Sequence, residues 1–190
     1  MNWVKVKFLD KQRKINLFKK GRFCEFVQQA MVDNKEIILN KENINCEGAR
    51  IAFGWQKNFY DFEQKFSSNN KVNISLIDRV LKNIQPSNTK NIKSIILNGE
   101  EADVVVSFSL PKDVMEISRL YFVHTGEILK TELRPFLSIC LQTVVAWESN
   151  YPTVSCGCKD SRLYAGIKNE ELIVAFPYSI YKKILKENIG

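Results

Sequence analysis

Hydrophobic and polar positions alternate from Trp3 to Leu9 with a period of two, which predicts a half-buried strand. After a basic loop the period changes. Phe23, Phe26, Val27, Ala30 and Met31 fall at helical spacing, so 23–32 reads as a short amphipathic helix that Asp33-Asn34 ends. Glu36 to Leu39 reads as a short strand. Asn45-Cys46-Glu47-Gly48-Ala49-Arg50 reads as a turn before the apolar stretch Ile51 to Trp55. Residues 56–72 alternate polar and aromatic and look like loop. A second helical stripe runs through Ile74, Ile77, Val80, Leu81 and Ile84, with Asn73 placed to cap its start and Pro86 beyond its end.

The runs 92–97 and 102–108 are rich in β-branched residues and flank Asn98-Gly99, the signal of a hairpin, because both residues tolerate positive φ. Pro111 opens a helix through Val114, Ile117, Tyr121 and His124, and Gly126 stops it. A further helix, opened by Pro135, carries the stripe Phe136, Ile139, Cys140, Thr143, Val144 and Trp147. Strands are expected at 153–156 and 172–176. Pro177 opens a last helix through Ile180, Tyr181, Ile184 and Leu185. Five helices with five to seven strands, and no linker between them, predict one domain over 1–190. Its class is α/β or α+β, a mixed β-sheet covered by helices. A faint echo of strand, helix and Cys-Gly turn between residues 3–55 and 102–166 suggests an internal repeat.

Composition narrows the setting. The chain has 190 residues, of which 45% are hydrophobic and 26% charged, as in a soluble globular domain rather than a disordered one. The longest apolar runs fall far short of the roughly 20 residues a membrane span needs. The start shows no secretory signal, so a cytoplasmic protein is expected. Net charge is +7, and residues 1–35 carry nine Lys or Arg against three Asp or Glu. Without interleaved aromatic binding positions, that excess favours solubility over nucleic-acid binding.

Candidate chemistry is confined to thiols. The five cysteines are Cys24, Cys46, Cys140, Cys156 and Cys158, an odd number that argues against a disulfide framework. Cys156-Gly157-Cys158 sets two thiols on a glycine turn, with Lys159 and Arg162 near enough to favour thiolate. Cys46 precedes Gly48 and Arg50, and Cys24 begins a helix, where unpaired N–H groups lower a thiol's pKa. Cys140, on an apolar stripe, reads by itself as a core residue. The single histidine, His124, falls on the face expected to be buried. No phosphate-binding glycine loop, nucleophile elbow or dinucleotide fingerprint is present. Spacing alone marks the thiols as structural.

Four ordered segments change that weighing: Val4-Lys5-Val6-Lys7-Phe8; Arg22-Phe23-Cys24-Glu25 leading to Asn45-Cys46-Glu47-Gly48-Ala49; Ala102-Asp103-Val104-Val105-Val106; and Gly157 to Arg162 leading to Glu171-Leu172-Ile173-Val174 and Phe176-Pro177. Together they resemble the uncharacterised ArCR family of prokaryotes (domain of unknown function 169). The stretch between Trp55 and Ile92 departs from the family's pattern. The resemblance implies no activity. It does imply that Cys24, Cys46, Cys140 and Cys158 are the cysteines that matter, with Cys156 the spare. Four thiolates are the ligand set of an iron–sulfur cluster or a zinc ion, the expected cofactors.

Two alternatives stand beside that expectation. One is a non-enzymatic small-molecule or anion-binding domain whose pocket is shaped by Gly48, Gly157, Lys159 and Arg162, with Trp55 and Tyr164 in its wall. The other is thiol redox chemistry at Cys156 and Cys158. The expected partner is an unidentified small molecule or a redox protein.

Overall fold

The computed structural model describes residues 2–17, 19–83, 91–129, 131, 133 and 136–185. Ile84, Pro86 and Pro135 lie outside the described residues. Six strands form one sheet: β1 (Val4–Leu9), β2 (Ile37–Asn40), β3 (Ser94–Leu97), β4 (Val104–Ser109), β5 (Thr153–Ser155) and β6 (Leu172–Pro177). Their order across the sheet is β2-β3-β1-β4-β6-β5. Every pairing is antiparallel, so the protein is α+β rather than α/β and the expected mixture of ladders gives way to one kind.

The expected hairpin at Asn98-Gly99 is corrected. β3 and β4 are not partners, because β1 lies between them and pairs with both. Asn98 does take positive φ, at 53°. Its amide is used elsewhere: it donates to the Ala30 carbonyl at 2.7 Å and accepts from the Lys5 N–H at 3.1 Å. The residue that looked like a hairpin turn is a clamp on the end of β1.

Among the described residues, eight helices flank the sheet: α1 (Phe23–Asp33), α2 (Glu47–Ala52), α3 (Tyr60–Asn70), α4 (Ile74–Asn83), α5 (Pro111–Thr125), α6 (Ser138–Ser149), α7 (Lys159–Ala165) and α8 (Tyr178–Ile180), the last running into a π-helical turn at Tyr181–Leu185. Alternation along the strands divides them. Val4, Val6 and Phe8 of β1, with Ile95 and Leu97 of β3, face a core completed by α1, α2, α4 and α6. Val105 of β4, with Val174 and Phe176 of β6, faces the opposite core, closed by α5 and the chain end. On α5, Ile117, Leu120 and Tyr121 are buried. His124, expected on that face, is exposed, because the helix turns its last residues to solvent before Gly126 ends it at φ 73°.

Helix ends follow the sequence closely in places. Asn34 stops α1 in the left-handed region at φ 49°. Asn73 caps α4, its side-chain oxygen accepting the Ser75 N–H at 2.9 Å. Three helices stand where the sequence suggested turns or loop, namely α2, α3 and α7, and all three border the site. Two are short: α2 has six residues and α7 seven. The third, α3, buries none of its eleven residues.

The connectivity repeats across the middle of the sheet. β1-α1-β2-α2 and then β3 build one half in the order β2-β3-β1; β4, then α6-β5-α7-β6, build the other in the order β4-β6-β5. The central β1–β4 pair relates the two, with α3–α4 inserted in the first half and α5 in the second. Equivalent helices pack crosswise, α1 on α7 and α2 on α6.

Because Ile95 is fully buried in the central layer, Ile95→Ala is expected to cost about 2–5 kcal/mol. Thermal unfolding followed by circular dichroism would read that as a midpoint roughly 5–15 °C lower. Val32, 72% exposed at the rim of α1, is expected to tolerate Ala within about 0.5 kcal/mol.

Candidate thiolate site

Four of the five cysteines come to one place. Cys24 is the second residue of α1 and Cys140 the third of α6, while Cys46 and Cys158 are the residues that cap the starts of α2 and α7. All four line a single cavity of about 1010 Å³ on the α1/α6 face of the sheet. Cys156 does not; its side chain is exposed. The pairs correspond across the topological repeat, Cys24 to Cys140 and Cys46 to Cys158. The crosswise packing of α1 on α7 and α2 on α6 brings the two pairs together.

Local chemistry explains how the turns hold. The Arg22 N–H donates to the Glu25 carboxylate at 2.7 Å, fixing the first turn of α1. The Cys158 N–H donates to Ser138 Oγ at 2.9 Å, so the first residue of α6 secures the start of α7. Ser161 Oγ in turn donates to the Cys158 carbonyl at 2.8 Å and accepts from the Cys158 thiol at 3.5 Å. Gly48 is where α2 meets α6: a Cβ there would stand 2.6 Å from Leu137 Cδ2, while Cys46 Sγ is 3.8 Å away. The glycine is a packing requirement set by the buried Leu137 side chain, whereas Cys46 Sγ stands at ordinary contact distance.

Electrostatics in the cavity favour the protonated forms of Cys24, Cys46 and Cys140. Burial pushes Cys24 up to about 12, and the nearby Cys46 and Cys158 sulfurs push the same way. Burial raises Cys46 as well, opposed by the Ala49 and Gly48 N–H groups and by Arg22. Cys140 is held well above the ordinary thiol range by burial, then by the sulfurs of Cys46, Cys158 and Cys24. A metal that replaced the thiol protons would meet sulfurs already supplied with donors, since backbone N–H groups of Glu25, Gly48, Ala49 and Leu141 favour the charged forms. Among the described residues, no group of three or more His, Cys, Asp or Glu side chains is arranged so that it could hold a metal ion.

Arg22 is the functional residue that sequence reading undervalued. Its guanidinium donates to Cys46 Sγ at 3.6 Å and to the Asp160 carboxylate at 2.7 Å, and lies 4.0 Å over the Tyr164 ring. It therefore ties the α1 start to both α2 and α7. Its adjacency to Cys24 in the chain was the available signal.

The other expected residues divide. Gly48, Lys159 and Tyr164 belong to the cavity wall, whereas Gly157, Arg162 and Trp55 do not. Gly157 takes φ 81° and carries the turn between β5 and α7. Arg162 spends its guanidinium on the carbonyls of Cys156, Lys168 and Glu171, pinning the loop before β6. Trp55 donates to the Ile92 carbonyl at 2.6 Å.

The thiol shifts set a pH dependence. The ordinary thiol value is 9.0, and Cys24 in the fold sits at about 12. The folded state therefore holds its proton more tightly than the unfolded chain does. The corresponding stability is complete below pH 9 and is lost as pH climbs from 9 toward 12. Urea unfolding of the protein at rising pH is expected to show that decline, and Cys24→Ser is expected to reduce it, Cys46 and Cys140 supplying the remainder; equal slopes in both proteins would contradict the burial of this thiol. Gly48→Ala, by forcing α2 off Leu137, is expected to cost about 1–3 kcal/mol in the same measurement.

A family model described as "Uncharacterised ArCR" matches residues 2–187. A protein of Methanocaldococcus jannaschii, itself described as uncharacterised, is 24% identical over 183 residues, covering 87% of this chain and 75% of the relative. No solved structure matches the chain. Among the described residues no helix is long and apolar enough to cross a membrane. With a match that runs almost from end to end, the chain belongs to the uncharacterised ArCR family, domain of unknown function 169.

Proposed function

We propose that the protein binds an iron–sulfur cluster through Cys24, Cys46, Cys140 and Cys158. The observation that carries this is the lining of one cavity by four cysteines from four different helix starts, while the fifth, Cys156, is exposed. Chance burial of small apolar thiols would scatter them through two cores; here four helices that share no local sequence deliver them to the same wall.

Four thiolates are the ligand set of a cluster and of a tetrahedral zinc ion alike, and the four thiols are close enough to shift one another's ionisation. Arg22 on Cys46 and the N–H groups at the helix starts offset the negative charge that four thiolates would bring. When bound, a cluster would supply one-electron chemistry or sensing; the chain's own residues hold the sulfurs, limit water and neutralise charge.

Purification without oxygen, followed by an absorption spectrum and assays of iron, zinc and sulfide, tests this directly. The expected sample is brown, contains iron and sulfide, and loses both in Cys46→Ser and Cys158→Ser but not in Cys156→Ser. Folded, metal-free protein that resists reconstitution would sink the proposal. Colourless protein with stoichiometric zinc would replace the cluster with a structural ion.

A further inference from the structure

The cavity is much larger than its sulfurs require. At about 1010 Å³ it stands at the upper end of the roughly 300–1,000 Å³ typical of small-molecule sites. The α3–α4 hairpin supplies another part of its wall. α3 buries no residue, yet Phe62 and Phe66 turn inward and meet Phe136, with ring centroids 5.6 and 4.8 Å apart respectively. Leu76 and Val80 of α4 extend the same apolar wall. Phe62 and Phe66 are half-buried against the core and at the same time line the cavity, so their rings offer an apolar surface to an occupant of it.

The charges of the lining give the occupant a polarity. Arg22 is paired with Asp160, and Lys65 with Glu47. Lys159, one residue beyond Cys158 on the same wall, is ion-paired with no described residue. Three cations, Arg22, Lys65 and Lys159, against two carboxylates, Glu47 and Asp160, leave one positive charge among the ionic side chains of the lining.

From this we infer that the cavity binds a small organic acid, its apolar body against Phe62, Phe66 and Leu76 and its carboxylate toward Lys159, beside the cysteine wall. The inference rests on the same cavity as the proposed cluster, but not on the metal. A ligand in this position would share the cavity with the four sulfurs.

Calorimetric titration of the whole protein with 4-phenylbutyrate, and with the uncharged 4-phenylbutanol, tests it. One equivalent of the acid is expected to bind, about tenfold more tightly than the alcohol, a difference of roughly 1.4 kcal/mol. Lys159→Gln, a change at an exposed side chain, is expected to bring the two affinities within about threefold of each other. Phe66→Ala is expected to weaken both about fivefold or more. Leu76→Ala, at a side chain already 46% exposed, provides the same direction of change should Phe66→Ala unfold the hairpin. Absence of a saturable site, or affinities that none of the three variants alters, would overturn the inference. Iron and sulfide assayed on the same samples separate the two proposals: binding that persists in Cys158→Ser without metal supports the ligand site alone, whereas metal without acid binding leaves the cluster and removes the ligand.

Discussion

The antiparallel pairing of β1 with β4, through Val4 with Val106, Lys5 with Val105 and Val6 with Val104, is the seam on which the rest of the molecule is arranged. On either side of it stand a strand and then an edge strand, β3 and β2 on one, β6 and β5 on the other. Each half crosses over by a helix on the same face, α1 in the first and α6 in the second. With the two halves facing each other across the seam, the starts of α1, α2, α6 and α7 meet over its middle. The cysteines converge because they occupy those starts. Displacing the seam would separate the pairs without breaking a single local turn.

That arrangement also explains why the thiols are buried at helix starts. A helix start carries unpaired N–H groups, which need partners when water is excluded. A neutral thiol satisfies them weakly, and desolvation raises Cys24, Cys46 and Cys140 above their ordinary values. A negatively charged sulfur would satisfy them well but costs too much desolvation without a counter-charge. The metal-free fold is therefore held between two demands, with protons on the sulfurs and donors that would suit thiolates. Arg22 is the nearest counter-charge the chain itself provides, and Asp160 shares it.

Legibility in the sequence followed the scale of each element. Trp3 to Leu9 and the stripe from Phe23 to Met31 are long enough for their periods to identify β1 and α1, and Asn34 and Gly126 terminate helices as such residues do. α2 and α7 are too short for a period to emerge, and each begins with a Cys-containing turn that reads as loop. α3 was hidden for another reason: its apolar positions, Phe59, Phe62 and Phe66, keep helical spacing, but they are few, the residues between them are mostly polar, and the helix packs only half-buried at the edge of the core and the cavity. The Asn98-Gly99 signal was locally correct in its backbone and wrong in its partner, since no local pattern reveals that a strand from the chain's start inserts between 94–97 and 104–109. Arg162 beside Cys158 looked like a charge for thiolate; three loop carbonyls claim it.

Cys140 shows most clearly what spacing leaves out. On its own helix it is one more apolar position, indistinguishable from Ile139 or Val144, and a buried free cysteine is ordinary. Its significance lies in its counterpart. Cys24 holds nearly the same place in the first turn of α1, in the other half of the sheet, and each helix packs against a short helix capped by the opposite half's cysteine. Cys156 has no such counterpart and is exposed one residue before the turn. A purely structural role would require each thiol only to fit its own surroundings, and would treat Cys140 and Cys24 as separate accidents. The crosswise placement ties all four to the wall of one cavity, which is the placement that the proposed shared ligand requires.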